Sequence, residues 1–123
     1  MPAVRTAEAV VHEVHGARFT SYAAPARGSK ELCAWRLEVP ANLTGVAHTI
    51  TREEVFLVLS GSVRLSIDGE PHTLTPGDAA IAPAGSSVRL DTMDEPAAAW
   101  VTTSVGLEGI LADGSRFAPP WVN

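Results

Sequence analysis

Hydrophobic and polar positions alternate along most of this chain, and the alternation breaks off every few residues. In residues 31–39, the odd positions from Cys33 to Val39 are apolar, whereas Arg36 and Glu38 share the opposite face. Short runs of this kind, bounded by turn residues, are typical of β-strands. The strands predicted in this way span 17–22, 31–39, 43–50, 54–60, 62–67, 71–75, 79–82, 87–91 and 98–105.

The segments between these strands are rich in turn-forming residues. Asp68-Gly69 is the strongest hairpin signal, and Pro76-Gly77 and Pro83-Ala84-Gly85 mark two further turns. No stretch longer than about ten residues keeps a helical period. The pattern therefore predicts an all-β sandwich or barrel. The strongly apolar strand 54–60 is expected to be buried on both faces, and 79–82 is expected to be a short buried strand.

Length and charge narrow the class of protein. A chain of 123 residues, 46% of them hydrophobic, suffices for one packed domain. The net charge is −5, and the eight arginines and single Lys30 are scattered, so no basic stripe favours nucleic acid or an anionic membrane. Cys33 is the only cysteine, and no apolar run approaches the roughly 20 residues that span a bilayer. We therefore expect a cytoplasmic protein.

Residues 48–85 resemble the core of the cupin superfamily. His48 and Glu54 match the first and the acidic position of that family's first motif, and Gly61 closes it after six residues. Gly77-Asp78 and Pro83-Ala84-Gly85 match its second motif. The resemblance implies an all-β, RmlC-like jelly-roll barrel, formed as one domain over 1–123. Within it we place core motifs at 43–91, an N-terminal arm at 1–16 and a C-terminal tail at 106–123.

The family's metal-ligand positions are incomplete in this sequence. Ile50 and Val88 stand where the family has histidines, so of the four family ligand positions only those of His48 and Glu54 carry groups able to bind a metal. If the motif spacing were one residue longer, His48 would point outward instead. A metal site would need a third, non-standard ligand, with His72 as the first candidate. The other candidates are His12, His15, Asp91 and Cys33.

The spacing of His48 and Glu54 suggests a functional pair. If Thr51–Glu53 is a hairpin loop, the two side chains lie diagonally on one sheet face, roughly 7–8 Å apart at Cα. Burial there would raise the pKa of Glu54 and lower that of His48, which suits acid–base work. The pocket around them is predicted to be apolar. Its expected lining residues are Trp35, Ile50, Phe56, Val58, Val88 and Leu90.

Three functions fit these residues, and whether the protein is an enzyme stays open. The favoured one is binding of a small, largely apolar molecule in the barrel, with His48 and Glu54 as possible acid–base groups and no tightly bound metal. Such chemistry would be an isomerisation, epimerisation, cyclisation, dehydration or other lyase-type step. The alternatives are a degenerate metal-dependent dioxygenase or lyase using Zn, Fe, Mn or Ni, and a non-catalytic ligand sensor or structural protein.

The resemblance also makes a homodimer the expected assembly. Trp100 is a candidate for the interface if it faces outward, because aromatic residues are enriched at such surfaces. Phe117 and Trp121 in the tail are expected to cover an open edge of the barrel or to pack on a second subunit.

Overall fold

The computed structural model describes residues 3–123 and consists of two six-stranded antiparallel sheets. Residues 1 and 2 of the predicted N-terminal arm lie outside the described residues. Three short 3₁₀ turns cover Thr6–Glu8, Pro25–Arg27 and Pro120–Val122. The strands are β1 Val10–Val14, β2 Ala17–Ala23, β3 Leu32–Val39, β4 His48–Ile50, β5 Glu54–Ser60, β6 Val63–Ile67, β7 Glu70–Leu74, β8 Ala79–Ala82, β9 Ser87–Thr92, β10 Ala97–Ser104, β11 Gly109–Ile110 and β12 Arg116–Phe117.

The two sheets face one another across a single apolar core. The first sheet has the strand order β1-β2-β3-β10-β5-β8, and the second has β12-β11-β4-β9-β6-β7. Consecutive strands repeatedly fall in opposite sheets, which confirms the predicted jelly roll. Residues from the inner faces of both sheets, such as Val58 and Val101 from the first and Ile50 and Leu65 from the second, are almost completely buried. None of the helical segments within 3–123 is long and apolar enough to cross a membrane.

The strongest local signals correspond closely to observed elements. β5 and β8 begin and end at the predicted residues. The β6–β7 hairpin turns at Asp68 and Gly69, whose φ angles of 51° and 81° are both left-handed. This is the backbone that a two-residue hairpin of Asp-Gly type requires.

The predicted strand 43–50 is wrong in its first half. Regular pairing begins only at His48, and residues 43–47 follow an irregular path along β9. The amide of Leu43 donates to the Thr92 hydroxyl at 3.0 Å, and that of Gly45 donates to the Asp91 carboxylate at 2.9 Å. Side-chain acceptors thus replace the carbonyls of a strand ladder, so the segment is ordered without being a strand.

The predicted hairpin at Thr51–Glu53 is also wrong. β4 belongs to the second sheet, and β5 belongs to the first, so the two strands do not pair. The Thr51 amide instead donates to the carbonyl of Glu108 at 3.1 Å, and Glu53 accepts from the Thr103 hydroxyl at 2.7 Å. These two contacts hold the connection across one end of the barrel.

The outer face of the first sheet corrects a third expectation. The sequence predicts burial on both faces for 54–60 and a buried strand at 79–82, but the outward side chains of both strands are exposed. Ile81 is 63% exposed, and Leu57 is 38% exposed. Inner residues of the same strands, such as Val58 and Ala82, are buried. The apolar outer positions therefore face no other part of the described chain.

The C-terminal tail packs against β2 and β3 of the first sheet. The Trp121 ring stacks on Phe19 with centroids 3.7 Å apart, and the Cys33 thiol donates to the carbonyl of Val122 at 3.4 Å. The Ser21 hydroxyl donates to the Trp121 carbonyl at 2.8 Å. Trp121 therefore covers an edge of its own barrel, the first of the two places predicted for it.

Candidate functional site

The inner face of the first sheet carries a buried carboxyl group. Glu54 opens β5 on the same face as Phe56 and Val58, and only 5% of its surface is exposed. Its direct neighbours across the sheet are Thr103 on β10 and Ala82 on β8, neither of which is charged. Desolvation by burial raises the Glu54 pKa to about 7. This direction is the one expected from burial, which disfavours the charged carboxylate.

Other polar side chains on this inner face are already hydrogen-bonded to the backbone. Ser21, Cys33 and Thr103 each donate to a main-chain carbonyl oxygen, of Trp121, Val122 and Glu53 respectively. The Glu54 carboxyl and the Trp35 indole differ from these three side chains in having no such bond among the described residues. Within 3–123, the Glu54 carboxyl makes no side-chain hydrogen bond, and the buried indole nitrogen of Trp35 has no acceptor.

His48 lies on the second sheet, near the rim of the barrel. It pairs with Val88, a core residue, so its side chain projects toward the inner side of β4. The ring is only half-buried. Its Nδ1 lies 3.1 Å from the carbonyl oxygen of Val46. Because a carbonyl can only accept, Nδ1 carries the hydrogen, and Nε2 of the neutral ring is left as an acceptor.

Phe117, expected from the sequence at an open edge of the barrel or on a second subunit, lies at the rim near His48. Its ring centroid lies 6.0 Å from that of His48. β11 pairs Gly109 with both Phe117 and Ile50, and a side chain at Gly109 would overlap the Phe117 ring. Only the pairing of these distant segments reveals the contact, since no local pattern links Phe117 to His48.

The predicted diagonal pair of His48 and Glu54 does not exist, because the two residues stand on facing sheets. The short connection from Ile50 to Glu54 nevertheless keeps both strands at one end of the barrel. Glu54 lies in the interior and His48 at the rim. The arrangement gives one buried carboxyl group on the first sheet and one more accessible imidazole on the second, both at the same end of the barrel.

The predicted lining residues belong to the core that surrounds Glu54. Ile50 and Val88, which stand where the family has histidines, are 0% and 2% exposed. Leu90 is partly buried and packs against the same core. The remaining members are buried on the first sheet, and they are Trp35, Phe56 and Val58.

Two surface clefts lie away from this interior. One, of about 420 Å³, is lined by Arg18, Arg36 and Glu38 among others, and one of about 390 Å³ is lined by residues that include Glu8 and Arg27. The charged side chains of the first cleft pair with each other at the surface. Neither cleft contains the buried, unpaired polar groups found inside the barrel.

The donor set does not fit the metal that the fold family implies. A catalytic zinc site uses three protein ligands, and a non-haem iron site uses two histidines and a carboxylate. Two of the four family positions here hold hydrocarbon side chains, and His72 is exposed on the edge strand β7. In the described part of the chain, no three His, Cys, Asp or Glu side chains group closely enough to share an ion. We derive no step through a metal.

Sequence comparison assigns the family. The profile of the cupin domain matches residues 35–103, more than half of the chain. This barrel, with its two facing sheets and motif glycines, is a cupin, and the chain belongs to the cupin family. No curated protein matches the sequence.

Solved structures with the same architecture have varied activities. The polyketide cyclase RemF from Streptomyces resistomycificus is 19% identical with a TM-score of 0.75, over 85% of this chain and 79% of that one. An RmlC-like cupin from Shewanella frigidimarina is 18% identical with a TM-score of 0.72, over 82% and 87%. The DMSP lyase DddQ from Ruegeria pomeroyi is 28% identical with a TM-score of 0.65, over 71% and 46%. These likenesses support the jelly-roll fold, and the named activities belong to those proteins.

Proposed function

We propose that the barrel binds a small, largely apolar organic molecule and that Glu54 is the polar group that meets it. The observation that carries the proposal is a carboxyl group buried among hydrocarbon side chains without a hydrogen-bonding partner in the described chain. Native proteins rarely bury a polar group in this way unless it serves a function. A ligand oxygen or nitrogen would supply the missing partner.

Proton transfer is the chemistry that this environment favours. With a pKa of about 7, Glu54 holds and releases its proton at neutral pH, which is the optimum for general acid–base catalysis. His48 offers Nε2 at the rim, where it could accept a proton from a bound molecule or pass one to solvent. Isomerisation, epimerisation, cyclisation and elimination all fit these two groups. A binding role without turnover uses the same pocket.

Ligand binding should depend on Glu54 and not on its exposed neighbour. Small uncharged organic compounds would be screened against isotope-labelled protein, and displaced resonances of Phe56 and Val58 would identify ligands in the barrel. We expect Glu54→Leu, which fills a similar space but cannot form a hydrogen bond, to weaken such a ligand about tenfold, as the loss of one buried hydrogen bond does. Glu53→Leu is the matched control, because it makes the same change one residue away at the surface.

The same variants distinguish the competing functions. Unchanged binding and turnover in both His48→Ala and Glu54→Leu would contradict the proposed roles. Stoichiometric transition metal in purified protein, lost in either variant, would favour the metal-dependent alternative. Binding that depends on Glu54 with no turnover would identify a sensor.

We also propose that the outer face of the first sheet packs against a second copy of the chain. Trp100 faces outward between Arg36 and Leu57, and its ring lies 5.3 Å from Tyr22. The apolar outer positions of β5 and β8 continue the patch next to it. These positions are Val55, Leu57, Leu59 and Ile81. A contiguous apolar surface of this kind is typical of a protein interface.

Leu57→Glu is therefore expected to convert a dimer into a monomer, because a charge would be buried at the centre of the patch without a partner. Light scattering after size-exclusion chromatography measures the mass directly. Val46→Glu is the control, since Val46 is 63% exposed and lies in the 40–47 loop, away from the patch. A wild-type protein that is monomeric at high concentration would refute this assembly.

A further inference from the structure

The indole nitrogen of Trp35 is a buried donor without an acceptor. Trp35 is 3% exposed, lies on the inner face of β3, and shares a row of the first sheet with Val101 and Phe56. A buried tryptophan N–H usually finds a partner, and leaving one unpaired is unfavourable. Here no atom of the described chain accepts that hydrogen.

Neighbouring polar groups are fixed in other contacts. Ser21 is the direct partner of Trp35 across β2, yet its hydroxyl donates to the carbonyl of Trp121. Thr103 donates to the carbonyl of Glu53 in the next row. Among the described residues, the Trp35 indole nitrogen is the only fully buried side-chain nitrogen or oxygen without a partner. Glu54, which is 5% exposed, lies one row away on the same face.

The interior also lacks a positive charge. In the described residues, arginines on the strands lie on outer faces or at exposed ends, as Arg36 does on β3 and Arg89 on β9. Lys30 is exposed in a loop. A carboxylate or phosphate inside the barrel would lose its hydration without gaining a cation, which is strongly unfavourable. An uncharged oxygen would incur no such cost.

We propose that Trp35 determines specificity by donating a hydrogen bond from Nε1 to an uncharged oxygen, such as a ketone or ester carbonyl, on the molecule that occupies the barrel. This inference rests on the proposed function, since it requires a ligand in that interior. The apolar body of the molecule lies against Phe56, Val58 and Ile50, and the carbonyl satisfies the unpaired donor. The ligand class is thus neutral, compact and carbonyl-bearing, and organic anions are excluded.

Three probes of similar shape test the proposal. Acetophenone carries a ketone oxygen, ethylbenzene lacks it, and benzoate replaces it with a charged group at pH 6. Each would be titrated into protein labelled with ¹⁵N in its indole groups. The signal of Trp35 is identified by its disappearance in Trp35→Phe, which keeps an aromatic ring and removes the N–H.

We expect acetophenone to shift the Trp35 indole signal and to bind about tenfold more tightly than ethylbenzene, the effect of one neutral hydrogen bond. Benzoate should give no shift. In Trp35→Phe the preference for the ketone should vanish while ethylbenzene binding stays the same. Trp121→Phe is the control, because its ring lies 6.5 Å from Trp35 but its loss leaves the Trp35 donor intact.

The outcomes separate this inference from the function on which it rests. Equal binding of ketone and hydrocarbon, or a ketone preference that survives in Trp35→Phe, would overturn the role of Trp35 and leave the barrel as a ligand site. Absence of any core resonance shift with either neutral probe would overturn both. In unliganded Trp35→Phe, the removed N–H has no partner, so any loss of stability to urea should come only from the smaller ring in the core.

Discussion

Glu54→Gln should be more stable than wild type above neutral pH and no more stable near pH 4.5. The ordinary carboxyl pKa of 4.5 applies to the unfolded chain, and burial raises it to about 7 in the folded protein. Below pH 4.5 both states carry the proton, so burial of the acid incurs no ionisation penalty. As the pH rises toward 7, the unfolded state releases its proton first, and the free energy of unfolding falls. The full difference is about 3 kcal/mol.

Urea denaturation of both proteins at pH 4.5 and pH 8 measures this effect. The stability of each protein also changes through its other carboxylates, such as Asp91, but that contribution cancels when the two are compared. The free energy of unfolding of Glu53→Gln should equal that of wild type at both values of pH, because Glu53 is exposed. A constant difference between Glu54→Gln and wild type across this range would contradict a raised pKa for Glu54.

Gly61→Ala is expected to destabilise the fold by about 2–5 kcal/mol, the combined effect of a left-handed residue and an overpacked contact. Gly61 has a φ of 68°, where a side chain is strained. An added Cβ would also overlap the carbonyl oxygen of Pro96 and crowd Ala97, where β10 begins. Both contacts are with backbone at the start of β10 or directly before it, so these atoms cannot move aside cheaply.

Gly77→Ala separates the two contributions. Gly77 has a φ of 92°, but nothing lies within contact distance of the position its Cβ would take. The free energy of unfolding of Gly77→Ala should therefore fall only by the cost of a side chain in the left-handed conformation, about 1–2 kcal/mol. Chemical denaturation of the two variants side by side measures the difference. Equal losses would show that the close approach of Gly61 to β10 contributes nothing.

Much of the fold could be predicted because its signals are local. The alternation in 31–39 and the Asp68-Gly69 turn each determine a structure within a few residues. The placement of Glu54 on the inner face follows likewise from its parity with Phe56 and Val58, and burial then dictates the direction of its pKa shift. These inferences needed no knowledge of distant partners.

The errors arose where distant segments decide the outcome. The polar residues Thr51–Glu53 look like a hairpin loop, yet backbone contacts with Glu108 and a bond from Thr103 direct the chain to the other sheet. The Asp91 carboxylate similarly accepts from the amide of Gly45, so regular pairing begins only at His48 and the first half of the predicted strand is missing. The Trp35 nitrogen is unpaired because none of its neighbours in the described chain, which come from distant segments, accepts its hydrogen. No single segment of sequence could indicate this.

The pairing of β3 with β10 has a consequence for how the protein folds. Leu32 lies opposite Ser104, and Val39 lies opposite Ala97, so the central strands of the first sheet come from opposite parts of the chain. Folds dominated by such non-local pairing form slowly. During synthesis, β5 has no neighbour on its β10 side until residue 104 has left the ribosome. Until then, the apolar residues of β5 remain accessible to chaperones or to other nascent chains. The yield of folded protein should therefore depend on translation speed and temperature.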